Sequence, residues 1–125
     1  MAAKRKRNYL IFIIMTKAES FFEEMAKGLS GVETGKMFGA RCLKTPNGKS
    51  AAMFWQDNIV VKLSGEAFAN AMSLAGARQF APMEGRPMKE WVQIPFKHHT
   101  YWKEYVEISI AGVRVLDKKL PKKKK

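Results

Sequence analysis

The stretch KMFGARCLKTPNGKSAAMFWQDNIVVKL, Lys36 to Leu63, decides what kind of fold this chain makes. It reads as three apolar runs separated by turn formers. Lys36 to Lys44 is the first run, with Gly39 inside it; a glycine within a strand marks a bulge or the close approach of another backbone. Pro46-Asn47-Gly48-Lys49 is the first turn, where Asn-Gly supplies the two positive-φ positions of a type I′ hairpin. Ala51 to Trp55 is the second run. Gln56-Asp57-Asn58 turns the chain again. Ile59 to Leu63 then returns with Ile59, Val61 and Leu63 on one face and Lys62 on the other. Strands joined by connections this short pair antiparallel, because a parallel partner needs a crossover of a dozen residues or more. The stretch is therefore a three-stranded meander.

Helices flank it. From Lys17 to about Leu29, Phe21, Phe22, Met25 and Leu29 share one helical face, while Glu23, Glu24 and Lys27 lie largely away from it. Thr16-Lys17-Ala18-Glu19 matches a capping box, and Gly28 and Gly31 are stop signals. On the far side, Ser64 is placed to cap a helix running to about Ala75, with Phe68, Ala71, Met72 and Ala75 as its apolar side and Gly76 as its end. The segment FAPMEGRPMKEWVQIP, Phe80 to Pro95, turns at Pro82, Gly85 and Pro87 around a Glu84-Arg86 pair. It enters a strand at about Lys89 to Ile94, which Pro95 closes. A last helix starts at Thr100, with Trp102, Tyr105, Val106, Ser109, Val113 and Leu116 at three- and four-residue spacing. The expected class is α+β: an antiparallel sheet of about four to five strands with helices packed on it, in the order helix-strand-strand-strand-helix-strand(-strand)-helix.

Composition narrows the class further. At 125 residues and 46% hydrophobic, the chain suits one domain with its own core. Cys42 is the only cysteine, so no intrachain disulfide can form, and a reducing cytoplasm is the expected location. The net charge of +12 is concentrated at the ends. Lys4, Arg5, Lys6 and Arg7 open the chain, and Lys122, Lys123, Lys124 and Lys125 close it. These eight are candidate phosphate contacts for non-specific nucleic-acid association, although a terminal run of like charge is ordinarily a solvated tail. The organisation expected is a basic and apolar leader over 1–15, an α+β domain over 16–116 and a lysine-rich tail over 117–125. The apolar run Tyr9 to Met15 falls far short of the roughly 20 residues that span a bilayer, so no membrane span is expected. Met15 is itself a second candidate start.

Three segments taken together resemble the N-terminal domain of TfoX/Sxy proteins and its stand-alone relatives. They are GKMFGARCL, FAPMEGRPMKEWVQIP and the aromatic final helix with TYWKEYV. In that family a Met-Phe-Gly segment opens the first strand, here Met37-Phe38-Gly39. A Phe-x-Pro, a Gly-Arg turn, a methionine, an aromatic and a Val/Ile-x-Pro ending follow. Here they are Phe80, Pro82, Gly85-Arg86, Met88, Trp91 and Ile94-Pro95. The likeness runs from about Lys17 to Leu116 and implies an antiparallel α+β sandwich. Full-length members regulate competence genes and carry a second, helical domain. This chain has only a lysine tail after Leu116, so the resemblance implies no role in DNA uptake or transcription. It leaves a family of short proteins without an established activity.

No reaction centre stands out. His98 and His99 are adjacent and lack the HxxxH or CxxC partners that a metal site of three or four convergent ligands needs, so they read as surface histidines near a helix start. Cys42, on a strand, reads as a small packed residue. Phosphate-loop, dinucleotide and nucleophile-elbow motifs are lacking, and no catalytic, metal or cofactor residue is expected. The candidate binding surface is Met83, Arg86, Met88, Lys89 and Trp91, where polarizable side chains sit beside cations. The competing reading is a turn that fixes Trp91 and Ile94 in the core, and the burial of Trp91 separates the two. The function expected is a small non-enzymatic binding or regulatory module acting through protein contacts. The alternatives are a nucleic-acid-associated protein using its basic tails and, more remotely, an enzyme of unknown type. Neither a partner nor an oligomeric state is legible.

Overall fold

In the computed structural model, which describes residues 16–82 and 87–116, helix α1 (Lys17–Lys27) begins at the foreseen cap. The Thr16 hydroxyl accepts from the Glu19 amide at 3.0 Å and donates to Asp57 at 2.7 Å, so the helix start is tied to a hairpin of the sheet. The sheet has six strands, one more than the upper expectation: β1 (Glu33–Met37), β2 (Ala40–Lys44), β3 (Ser50–Trp55), β4 (Asn58–Lys62), β5 (Arg78–Gln79) and β6 (Trp91–Pro95). Every pairing is antiparallel, in the order β1-β2-β3-β4-β6-β5.

The extra strand comes from Lys36 to Lys44, which is not one strand with a bulge. Phe38 and Gly39 both take positive φ, 56° and 77°, and Met37 pairs with Ala40. This is a two-residue hairpin turn, and Gly39 serves the turn rather than a bulge. The reverse correction applies at Asn47-Gly48. Only Gly48 has positive φ there (83°), and its amide donates to the Thr45 carbonyl at 2.9 Å. The ladder slips between Leu43 and Lys44. The result is a longer, bulged turn instead of type I′. Asn47 is used otherwise: its amide nitrogen donates to the Val113 and Leu116 carbonyls, at 2.8 and 3.1 Å, and so caps the end of the last helix. The third turn, Gln56-Asp57, has φ of 48° and 66° at its two central positions and is the tight I′-like connection.

Helix α2 (Gly65–Met72) ends before Ala75, which is exposed, and Ser64 precedes it without a side-chain cap bond. A 3-10 turn (Phe96–Tyr101) carries the chain into α3 (Trp102–Arg114), which starts two residues later than expected. Helix α3 buries Trp102, Tyr105, Val106, Ser109, Ile110 and Val113, whereas Leu116 is largely exposed. Its stripe meets Leu43, Ile59, Val61, Val92 and Ile94, with Phe22 of α1 in the same core. The indole N–H of Trp102 donates to the Pro95 carbonyl at 3.2 Å, so the largest buried side chain has a partner for its one polar atom.

The other face of the sheet is also covered. Cys42, Met53, Val60, Phe80 and Trp91 are buried there, edged by Met37, Ala40, Trp55 and Met88. Phe80 lies across this face because its amide donates to the Trp91 carbonyl at 2.8 Å and its carbonyl accepts from Met88 at 2.7 Å. Strand β4 therefore buries Ile59, Val60 and Val61 in succession, as a strand covered on both sides does.

Midway along its length, helix α3 meets the sheet through a hydroxyl. The buried Ser109 hydroxyl donates to the Ala51 carbonyl at 2.6 Å and accepts from the Lys62 amide at 3.2 Å. The β3–β4 pairs run from Trp55–Asn58 to Ala52–Val61, and Ala51 and Lys62 come next in that sequence. The hydroxyl thus bridges the two strands where they part. Ser109→Ala should cost about 1–3 kcal/mol, because a backbone donor and acceptor lose their partner at once. Urea midpoints of wild type and variant check this; an unchanged midpoint would contradict the role given to the bridge.

Candidate functional site: a lysine-lined cleft

The strands part at one end of the sheet, and an open cleft of about 300 Å³ lies there. Its lining includes Lys36, Lys44, Lys49, Lys62, Ser50 and Trp91, with Met37 and the end of α3 as apolar walls. Strand alternation explains the convergence. Cys42, Val60 and Trp91 point to the face opposite the helices, so Lys44 and Lys62, two residues on from Cys42 and Val60, point there too. Ser50 pairs with Lys44 across the β2–β3 register, and its hydroxyl reaches the Cys42 sulfur at 3.6 Å. Lys49 comes from the bulged turn, whereas Lys36, between Gly35 and Met37 on edge strand β1, points to the other face by the same alternation.

Gly35 shapes the cleft. A Cβ at this position would stand 3.2 Å from Lys44 Cε and 3.4 Å from Cδ. The lysine stem crosses β1 through the space that a side chain would fill. On the opposite side, Lys62 Nζ lies 3.4 Å from Glu90 Oε1. Glu90 holds a left-handed backbone, φ 69°, and its carbonyl accepts from the Leu63 amide at 2.7 Å. The turn into β6 is thus anchored where its carboxylate can meet Lys62.

Among the described residues, Lys36, Lys44 and Lys49 have no carboxylate oxygen within 4.0 Å. The nearby arginine is already engaged elsewhere: Arg41 makes a two-pronged contact with Glu23 of α1, at 2.9 and 2.6 Å. Among the described residues the cleft is therefore lysine-rich, with Glu90 at its edge and Glu33 opposite Lys44 across the β1–β2 register. The carbonyls at the end of α3, which would repel an anion, are partly occupied by the Asn47 side chain.

Of the residues expected to form a binding surface, Met83 and Arg86 lie outside the described residues. Met88 is half-buried, Lys89 is exposed, and Trp91 is 8% exposed. Trp91 packs with Phe80, Met53 and Cys42, so its chief work is in the core, and only its edge reaches the cleft. The terminal candidates Lys4, Arg5, Lys6, Arg7, Lys122, Lys123, Lys124 and Lys125 also lie outside the described residues. Cys42 is fully buried. His98 Nε2 bonds the Ala75 carbonyl at 2.8 Å, and His99 stacks on Phe96. Among the described residues no three of His, Cys, Asp and Glu converge as metal ligands, and no helix is long and apolar enough to cross a membrane. Away from the cleft, burial above all, with Glu104 and Tyr101 adding, raises the Tyr105 phenol above its ordinary 10.0.

Lys36, Lys44, Lys49 and Lys62 were not singled out as a group by sequence reasoning. The available signal was weak: one polar residue in an apolar strand, two lysines bracketing a turn, and a glycine in the strand beside them. No family model, curated protein or solved structure matches this chain.

Trp91→Ala should lower stability by about 3–5 kcal/mol, the usual range for deleting a large buried aromatic. Equilibrium denaturation checks it; a wild-type midpoint would contradict the packing role.

Proposed function

We propose that this chain is a small, cytoplasmic, non-enzymatic binding module that acts through protein contacts, and that its working surface is the lysine-lined cleft. The observation that supports this reading is the convergence of Lys44, Lys49 and Lys62 on one concavity, while the opposite face of the sheet is taken up by helices. Exposed lysines on a convex surface are solvated and unremarkable. Lysines gathered in a cleft share one field, and low-dielectric walls strengthen it. The partner such a field selects is an acidic polypeptide segment. Met37 and the exposed Phe38, at 54%, give such a segment apolar contact beside the charge. The resemblance to stand-alone TfoX N-terminal domains agrees with a binding role, since the motifs that carry it hold turn formers and core residues.

The alternative, nucleic-acid association through the basic ends, rests on the terminal charge. The two readings separate by substitution in the full chain. Changing Lys44, Lys49 and Lys62 together to Gln should weaken binding of a fluorescein-labelled Glu-rich peptide by at least about tenfold, a loss of one strong charge contact or more. Changing Lys4, Arg5, Lys6, Arg7 and Lys122, Lys123, Lys124, Lys125 to Gln should leave most of that affinity in place. The reverse pattern, with duplex DNA bound tightly and steeply salt-dependent, would favour the tails.

A further inference from the structure

We infer that the cleft is selective for a phosphomonoester dianion, carried by the segment it binds, over a carboxylate; this rests on the binding-module reading above. The number of charges comes first. Lys44, Lys49 and Lys62 bring their charges to the cleft; among the described residues Glu90 pairs with Lys62, and Glu33, opposite Lys44 across the strands, makes no ion pair with it. A single carboxylate would leave part of this charge unanswered, whereas a phosphomonoester brings close to two negative charges and three acceptor oxygens.

The donor type points the same way. A site shaped for a carboxylate favours the planar fork of arginine, and Arg41 shows that fork on Glu23. The cleft offers point-charge ammoniums, which approach a tetrahedral group from several directions. They come from three sides: Lys44 from β2, Lys49 from the turn and Lys62 from β4. Ser50, between them, holds its hydroxyl on the Cys42 sulfur at 3.6 Å, a weak acceptor. That hydroxyl can turn to a phosphoryl oxygen at small cost.

Lys44 is the positioning residue with the clearest structural support. Its stem lies against the bare backbone of Gly35, which narrows the space the ammonium samples. Gly35→Ala inserts a methyl 3.2 Å from Cε and pushes the lysine aside without removing its charge. Gly35 does not hold a positive φ, so its backbone accepts alanine without strain. The volume of about 300 Å³ holds a phosphoryl group with room for the body that carries it.

The test compares three fluorescein-labelled peptides on the full chain, identical but for one central residue: phosphoserine, serine or glutamate. The tails also attract the more highly charged peptide, so the change in the ratio on substitution within the cleft is what reports the cleft. The phosphoserine form should bind about tenfold tighter or more than the glutamate form, the gain expected from one added charge-assisted bond. Lys44→Ala and Gly35→Ala, each with a near-wild-type urea midpoint, should reduce that ratio toward one. Unlabelled O-phosphoserine and a single-stranded DNA oligonucleotide serve as competitors. Displacement by O-phosphoserine as strong as by the phosphopeptide assigns the group to a small free phosphomonoester, and weaker displacement assigns it to a modified partner chain; both support the selectivity. Equal affinity for the phosphoserine and glutamate peptides overturns the selectivity and leaves the acidic-segment reading intact. A ratio unchanged in Lys44→Ala, or stronger displacement by DNA than by O-phosphoserine, overturns it as well. Failure of all three peptides to bind removes the reading beneath it.

Discussion

The bridge from Ser109 to Ala51 and Lys62 is the interaction on which both layers of this protein depend. A six-stranded antiparallel sheet with a helix along it could bury the same apolar area in several relative positions, because apolar contact has no direction. A hydroxyl inserted between two parting strands has direction. It aligns Trp102, Val106, Ile110 and Val113 over Leu43, Ile59, Val61 and Ile94. It also satisfies two backbone groups where β3 and β4 separate, and that separation is where the cleft lies.

The functional surface follows from covering both faces of one sheet unequally. Three helices pack on one face. Among the described residues, the other face is covered by Phe80 and Trp91, with Met88 at the edge. Beyond these residues, the alternation of β2 and β4 continues outward with Lys44 and Lys62 in place of apolar residues. Among the described residues the cleft is therefore the uncovered part of the second face. Its charge reflects the requirement that uncovered positions face water.

Much of the fold was legible because local and global signals agree. The order of helices and strands, the antiparallel meander, the Thr16 cap and the apolar stripe of α3 all follow from periodicity and turn chemistry. The errors fall where a local rule had two readings. Phe38-Gly39 looks like the interior of a strand because phenylalanine rarely takes positive φ. Asn47-Gly48 has the composition of a type I′ turn, yet the Asn47 side chain is drawn to the end of α3, 66 residues away. No reading of neighbours along the chain supplies that. The two-residue β5 has no periodicity to detect. The cleft was illegible for a related reason: its lysines come from two strands and a turn, and only the sheet register brings them together. Trp91, by contrast, was visible as a residue with either a packing or a binding role, and its burial ties it chiefly to the core.

The central claim is that the cleft, not the charged termini, is where this protein meets its partner. Two-dimensional amide NMR of the uniformly nitrogen-15-labelled full chain, titrated with the phosphoserine peptide, addresses it residue by residue. The account predicts that the largest saturable shifts fall at Gly35, Lys44, Lys49, Ser50 and Lys62, with the α1 and α3 surfaces unmoved. Shifts confined to residues 1–15 and 117–125, growing without saturation while the cleft amides stay in place, would contradict it.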